Sequence, residues 1–226
     1  MKKKSFLSKR YLGVDLSGAK NAKTTVAVLE HYPSEGKTFL IEIYNGIGAK
    51  KPLTSDEALL ELIESQKVRL QNIGINAALE VPPCISCTRK KCPMPSKCSV
   101  AEVKWMRIQQ GKTTDKSFTP YTQRPFELWV RKQIFAQLQE VLHFDVDETF
   151  GGSRAAQAAR LQFLKRHIKT QIIEVWPKLT VSILAHSHAI NFNLIRDYRS
   201  LERGLHARRT LIELIAETSE IFVYDK

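Results

Sequence analysis

Four cysteines lie close together in the sequence, at Cys84, Cys87, Cys92 and Cys98, in the pattern C-x2-C-x4-C-x5-C. Four thiolates can close a tetrahedral zinc site, and metal binding would supply folding energy to a segment with few apolar residues to bury. The same thiolates could hold an iron–sulfur cluster. Reduced structural thiols are the other alternative, since disulfides are rare in the cytosol. The spacing predicts a metal site, and we favour zinc over an iron–sulfur cluster.

Three carboxylates stand in or beside segments that the sequence pattern predicts to be strands. Asp15 interrupts the first strand, Glu80 stands where the fourth ends, and Glu174 lies inside the fifth. A carboxylate on a buried strand is costly to desolvate unless it is paired or binds a cation. Mg²⁺ and Mn²⁺ take oxygen ligands of this kind, and two such ions can promote phosphodiester cleavage. We predict an acidic catalytic site; alternatively, each acid pairs with a basic side chain or points outward.

Further residues could contact a substrate phosphate. Tyr121 and Arg124 suit this role because a guanidinium can bind phosphate in a bidentate manner, although Arg124 could simply precede Pro125 at a helix start. Lys20, two residues after Gly18, lies in a turn that resembles the phosphate-gripping hairpins of actin-like ATPases. We therefore include Lys20 among the candidate substrate-binding residues.

The charge of the chain favours a polyanionic partner. Its 226 residues include 35 basic and 23 acidic side chains, which gives a net charge of +12, while 43% apolar and 26% charged content is typical of a globular protein. The basic residues cluster at 2–10 and 89–116, so we predict a nucleic-acid partner rather than a surface that is basic only for solubility. Trp105 and Trp129 could stack on bases, but we favour core packing for both.

The sequence contains no candidate membrane segment. No apolar run approaches the roughly 20 residues that a membrane-spanning helix needs. The basic start at residues 2–10 is followed by a predicted strand rather than by the apolar region of a signal peptide. We therefore expect a cytoplasmic protein without a membrane partner.

The element order predicts an α/β domain. Runs of β-favouring and apolar residues predict five strands, at 11–16, 24–29, 38–44, 73–79 and 171–176. Helical periods and capping residues predict helices at 55–66, 125–142, 153–167, from Pro177, and at 194–218. Short links between the first three strands imply an antiparallel meander, and helical crossovers lead to the other two. We predict a mixed five-stranded sheet in the order 3-2-1-4-5 with helices on both faces. The whole chain, 1–226, would be one domain with an irregular, cysteine-rich insertion at 84–120.

Four short motifs in this order resemble domain-of-unknown-function family 429: GVDLSG at 13–18, LEVP at 79–82, PYTQR at 120–124 and EVWP at 174–177. The resemblance spans about 11–184, and it implies the RNase H-like fold and the nuclease activity predicted for that family. Such nucleases usually complete their site with an acid on a C-terminal helix, which is expected at about the place where this chain stops. Glu213 and Glu217 could substitute for it, or they could lie on a solvated helix face.

Three functional hypotheses follow from these residues. The first is a metal-dependent nuclease that hydrolyses phosphodiester bonds, with Asp15, Glu80 and Glu174 as ligands of Mg²⁺ or Mn²⁺. The alternative is a non-catalytic nucleic-acid-binding module on a degenerate RNase H-like scaffold, which would use the basic, metal-stapled insertion. Hydrolysis of a nucleotide or another small phosphate is a third possibility.

Overall fold

Alternating buried residues in the first strands build a sheet, and this sheet organises the first of two units. In a computed structural model the described residues are 8–18, 23–110, 118–138, 146–152, 154–191, 197–198, 200–219 and 221–223. The first unit comprises Met1–Asn76 and Phe163–Lys226, and the second comprises Ala77–Gln162. Among the described residues, no helix is both long enough and apolar enough to cross a membrane.

The sheet has six strands in the order β5-β4-β1-β2-β3-β6. They are β1 (Lys9–Asp15), β2 (Thr24–Tyr32), β3 (Lys37–Ile47), β4 (Leu70–Ile75), β5 (Gln171–Glu174) and β6 (Ile221–Val223). The first three form an antiparallel meander, and β4 and β5 add to β1 in parallel. The predicted order 3-2-1-4-5 is confirmed. All five predicted strands are present, and a sixth strand that was not predicted, β6, pairs in parallel with β3 at the far edge.

The core face of the sheet follows from the alternation of β1 and β2. Side chains of a strand point to opposite faces in turn, and Leu12 and Val14 of β1 are buried while the residues between them are less so. Cross-strand pairing aligns Val14 with Val26 of β2 and with Ile75 of β4. Apolar side chains of three adjacent strands therefore cover one face.

Both predicted boundaries of the fourth strand were wrong. We expected this strand at 73–79, but β4 runs from Leu70 to Ile75, and the side chain of the next residue, Asn76, donates a hydrogen bond to Asp15 of β1. Ala77 and Ala78 are buried without being in a strand, so the apolar run continued past the ladder. Glu80 consequently lies in a bend several residues beyond the strand and not at its end.

Among the described residues, three helices lie wholly in the first unit: α1 (Ser55–Ser65), α6 (Pro177–Ser187) and α7 (Leu205–Ser219). The predicted capping box of α1 is present, because the Thr54 hydroxyl accepts from the Glu57 backbone N–H and Glu57 accepts from the Thr54 backbone N–H. Of the helix predicted at 194–218, residues 205–218 are helical, the described residues 200–204 are not, and residues 194–196 and 199 lie outside the described part. Gly204, which precedes Leu205, lies in a turn so tight that a Cβ would overlap neighbouring carbonyl oxygens.

The second unit contains α2 (Ala101–Gln110), α3 (Pro125–Val130), α4 (Ala136–Leu138) and most of α5 (Arg154–Leu164), with a π-helical turn (Arg131–Phe135) between α3 and α4. The predicted helix at 125–142 is thus interrupted, and residues 139–145 lie outside the described part. The stretch expected to be irregular contains α2. Only Val103 and Met106 of α2 are buried, so its apolar period was too short to predict a helix.

A buried carboxylate on β2, that of Glu30, connects β2 to the beginning of β1 and to the residue before β4. Glu30 on β2 is 5% exposed, lies opposite Arg10 in the strand register, and accepts hydrogen bonds from Arg10, Arg69 and Ser8. Burial alone would raise the pKa of Glu30, but the hydrogen bonds from Ser8 and Arg10 and the Arg10 charge outweigh it and hold the pKa below 4.5. The charged form therefore stabilises the fold.

We expect Glu30→Gln to lower the free energy of unfolding at neutral pH by about 2 kcal/mol. The variant keeps the side-chain size, but hydrogen bonds to a charged group contribute roughly 1.5–3 kcal/mol. Because the folded pKa is lowered, the wild-type advantage is complete above pH 4.5 and is lost as the pH falls below that value. Urea unfolding of the wild type and of Glu30→Gln at pH values above and below 4.5 measures the difference in their free energies of unfolding.

Glu64→Gln is the matched control, because the Glu64 side chain is 67% exposed in its pair with Lys67 and should change stability little. A difference for Glu30→Gln that is as small as this control, or that does not vary with pH, would contradict the prediction.

Candidate functional site

Asp15 is the last residue of β1, and it lies where the connections that follow two neighbouring strands, β1 and β4, lead to opposite sides of the sheet. From β1 the chain goes on to β2 on one side, and from β4 it returns to the sheet as β5 on the other. The carboxyl ends of β1 and β4 point the same way because the two strands are parallel. In open α/β sheets, ligands bind outside the carboxyl ends of strands at such a switch point. Asp15 is exposed there.

Asn76 holds the Asp15 carboxylate in place. Its Nδ2 donates a hydrogen bond to Asp15 Oδ1, and its Oδ1 accepts one from the Leu16 backbone N–H at 2.7 Å. The Asn76 backbone N–H donates to the Val14 carbonyl oxygen at 3.2 Å, which extends the ladder past β4. Sequence reasoning missed Asn76, although an asparagine directly after an apolar run could have indicated it. A carboxylate and an amide thus share one sheet edge.

Gly13 leaves the face of the sheet beside Asp15 open. It precedes Asp15 by two residues and so lies on the same face. Its φ is not positive, and no heavy atom of the described residues would come within 4 Å of a Cβ placed there. Neither backbone conformation nor packing requires glycine here. The space over Gly13 is therefore available to a ligand held at Asp15.

Glu174 is on β5 as predicted, but it does not face Asp15. The register aligns Val14, Ile75 and Glu174 in one row, and residues in such a row of parallel strands share a face. Asp15 follows Val14 directly and points to the other face. The Glu174 carboxylate instead accepts a hydrogen bond from Trp176 Nε1 at 2.7 Å. The expected convergence of these two acids is therefore not seen.

Glu80 is exposed and belongs to the second unit, where it lines a cleft of about 490 Å³. The cysteine-bearing loop, the start of α2 and the start of α3 form its walls. The side chains that line it with Glu80 and bear on function are those of Ser86, Cys87, Thr88, Arg89, Glu102, Arg124 and Phe126. Cations and acids both line this cleft, so it is not a simple anion pocket.

Arg124 lines this cleft but is 5% exposed and ion-paired. Its Nε lies 3.0 Å from Glu127 Oε1, and its backbone N–H donates to Glu127 Oε2 at 2.9 Å. Glu127, 1% exposed, also accepts from the Thr149 hydroxyl. These contacts fix the start of α3, which is the structural alternative considered for Arg124. Its phosphate contact stays a prediction, as does that of Tyr121, which is 49% exposed.

The four cysteines are free thiols in graded environments. Cys98 is buried, Cys84 is half-buried, and Cys87 and Cys92 are exposed. Burial raises the pKa of the Cys84 thiol, and negative charge on Cys98, Cys92 and Cys87 raises it further. Among the described residues, no three acidic, histidine or cysteine side chains already form a metal-binding group.

Arg107 of α2 holds the loop that carries the last cysteine. Its Nη1 donates to the carbonyl oxygens of Pro95, Ser96 and Cys98 at 2.9, 2.8 and 3.2 Å. The Cys84 backbone N–H, at the other end of the cluster, donates to the Pro120 carbonyl oxygen at 3.1 Å. Both ends of the cysteine segment are thus tied to the second unit.

Two other predicted groups lie elsewhere. Glu213 is exposed on α7 and pairs with Arg209 at 3.0 Å, and Glu217 is exposed one turn later. This helix contacts β6, whereas Asp15 is three strands away across the sheet. The solvated helix face, considered as the alternative for these acids, is what the structure has. Lys20 lies outside the described residues.

No protein-family model matches the chain, and a comparison with characterised proteins finds no similar sequence. The similarity to family 429 therefore stays a prediction that the quoted motifs carry.

If Asp15 and Asn76 can hold a cation, a second carboxylate at position 76 should strengthen the site. We expect Asn76→Asp to lower stability by about 1 kcal/mol without divalent cations, since it replaces a hydrogen bond by like-charge repulsion. Mn²⁺ should then raise its Tm more than that of the wild type. Asn76→Ala, the control, also loses the hydrogen bond to Asp15, together with the one that Asn76 Oδ1 accepts from Leu16, and gains no carboxylate. An equal change in the Tm of the two variants on addition of Mn²⁺ would contradict a cation site at Asp15 and position 76.

Proposed function

We propose that the protein is a divalent-cation-dependent nuclease of RNase H-like fold, similar to family 429, that hydrolyses phosphodiester bonds in nucleic acid. The observation that carries the proposal is the exposed Asp15 carboxylate at the switch point of the sheet, beside Asn76 and the open face over Gly13. The strand order and the net charge of +12 support it. The carboxylate would hold Mg²⁺ or Mn²⁺, which activates water against the phosphorus.

The geometry ranks the three predicted acids. Asp15 is the principal ligand in this proposal. Glu174 lies on the other face and bonds to Trp176, so we assign it a structural role. Glu80 belongs to the second unit, and its role as a ligand stays a prediction.

A second candidate function is a non-catalytic nucleic-acid-binding module on the same scaffold. The specific observation that favours it is the separation of Asp15 and Glu174 on opposite faces. A site with fewer acids would bind a cation weakly or not at all, while the basic residues of 89–116 would still attract nucleic acid.

We also propose that the four cysteines bind one zinc ion. Their spacing, the burial of Cys98, the free state of all four thiols and the fixed ends of the segment support zinc. The segment has little apolar core of its own, so the metal would supply its folding energy. An iron–sulfur cluster is the alternative that the same thiols allow.

Asp15→Asn should abolish Mg²⁺- or Mn²⁺-dependent cleavage of DNA, RNA or a hybrid, because it removes the charged ligand while keeping the side-chain size. Glu174→Gln should retain most of the activity, and Glu80→Gln tests the remaining predicted ligand. Gly13→Val should reduce cleavage without loss of stability, since valine suits a strand but fills the open face. Gel assays with end-labelled substrates measure all four.

Glu35→Gln is the matched control, an exposed carboxylate in the turn between β2 and β3. Wild-type protein that cuts none of these substrates with either ion would overturn the nuclease proposal. If it then still binds nucleic acid in a salt-dependent manner, the binding module takes its place.

Elemental analysis of the purified protein should find about one zinc per chain, and Cys92→Ser should lower that content, because three thiolates hold zinc less tightly than four. Chelation should make the 84–120 segment more sensitive to protease. Ser96→Ala, an exposed change in the same segment, is the control. Broad visible absorption with iron would indicate a cluster instead; protein that contains neither metal would contradict the proposal.

A further inference from the structure

Two large aromatic side chains are exposed side by side on α3. Phe126 is 47% exposed and Trp129 is 43% exposed. Their ring centroids are 6.3 Å apart and their planes differ by 15°. We expected Trp129 to pack in the core, and that prediction is wrong, because Leu128 and Val130 take the buried positions of the helix. The Phe126–Trp129 pair, called the aromatic pair below, therefore does not serve core packing.

The aromatic pair is held on a rigid support. Glu127, between the two rings in sequence, is buried and accepts hydrogen bonds from Arg124 and Thr149. Because these bonds hold the buried side of α3, they also fix the orientation of its exposed side, which carries the aromatic pair. The two rings are nearly parallel, so their planes share one orientation on the helix. Successive bases of a nucleic-acid strand, which are also nearly parallel, can stack on such faces.

Exposed cations lie around the aromatic pair. Lys132 is exposed one helical turn beyond Trp129, and Arg89 is exposed in the cleft that Phe126 also lines. Further exposed cations of the second unit are Lys90, Lys91, Lys97 and Lys104. Glu80 and Glu102 line the same cleft, so the phosphate contacts are assigned to two exposed cations, Arg89 and Lys132, and not to the cleft as a whole. Aromatic faces between cations are typical of single-strand binding surfaces.

We infer that the second unit binds single-stranded nucleic acid, with bases stacked on Phe126 and Trp129 and backbone phosphates at Arg89 and Lys132. This inference deepens the proposed function by naming its substrate class. The claim that the bound strand is also cleaved rests on the proposed function, whereas the claim of binding does not. Single strands are favoured because bases in a duplex already cover each other's faces, whereas unpaired bases can stack on aromatic rings.

Fluorescence anisotropy with labelled oligothymidylate and oligouridylate tests the inference. All variants are made in the Asp15→Asn background without added divalent cation or chelator, so that failure of cleavage does not affect the result. Phe126→Ala and Trp129→Ala should each raise Kd by about fivefold to a hundredfold. Trp129→Phe should retain most of the affinity, because phenylalanine can still stack. Binding should weaken as salt increases.

Phe163→Ala is the matched control, since Phe163 is also 47% exposed but lies on α5 in the first unit. Its Kd should equal that of the parent protein. Equal affinity of the Phe126 and Trp129 variants and the control overturns the inference, as does tighter binding to the duplex than to the single strand. Sedimentation tests whether a second copy of the chain covers the aromatic pair instead of nucleic acid. A dimer that Trp129→Ala abolishes would also overturn the inference.

Discussion

The alternation of side chains along β1 constrains the whole first unit. Because β1 lies between β2 on one side and β4 on the other, its even-numbered residues fix which face of all three strands is the core face. Its odd-numbered residues, including Asp15, are turned the other way. A shift of one residue in this register would exchange the buried and exposed sets and bury the carboxylate. The Arg10–Glu30 pair in the same register opposes such a shift.

The sheet was predictable because its main signals are local. Alternation in β1 and β2, the turn between β2 and β3, and the Thr54–Glu57 capping box each depend on neighbouring residues, and each was found in the structure. The boundary of β4 was not predictable from its apolar run, because that run continues through Ala77 and Ala78, which are buried outside the strand. Likewise, β6 has only three residues and exists through pairing with β3.

The candidate site was predictable by residue type but not by geometry. A carboxylate in an apolar strand correctly drew attention to Asp15, yet the face that Glu174 occupies depends on the relative register of β1, β4 and β5, which no local pattern contains. The aromatic pair shows the same limit. Trp129 falls in a helical apolar period with core residues, and only the packed helix shows which apolar residues face inward.

The distant pairing of β3 with β6 has a consequence for how the chain folds. Strands close in sequence can pair early, whereas this contact joins Lys37–Ile47 to Ile221–Val223, across the entire second unit. During synthesis, Ala77–Gln162 leaves the ribosome before β5 and β6 exist. The part of β3 that pairs with β6, Thr38 to Leu40, must therefore stay unpaired on that side for most of translation, which leaves it open to aggregation or chaperone binding before folding is complete.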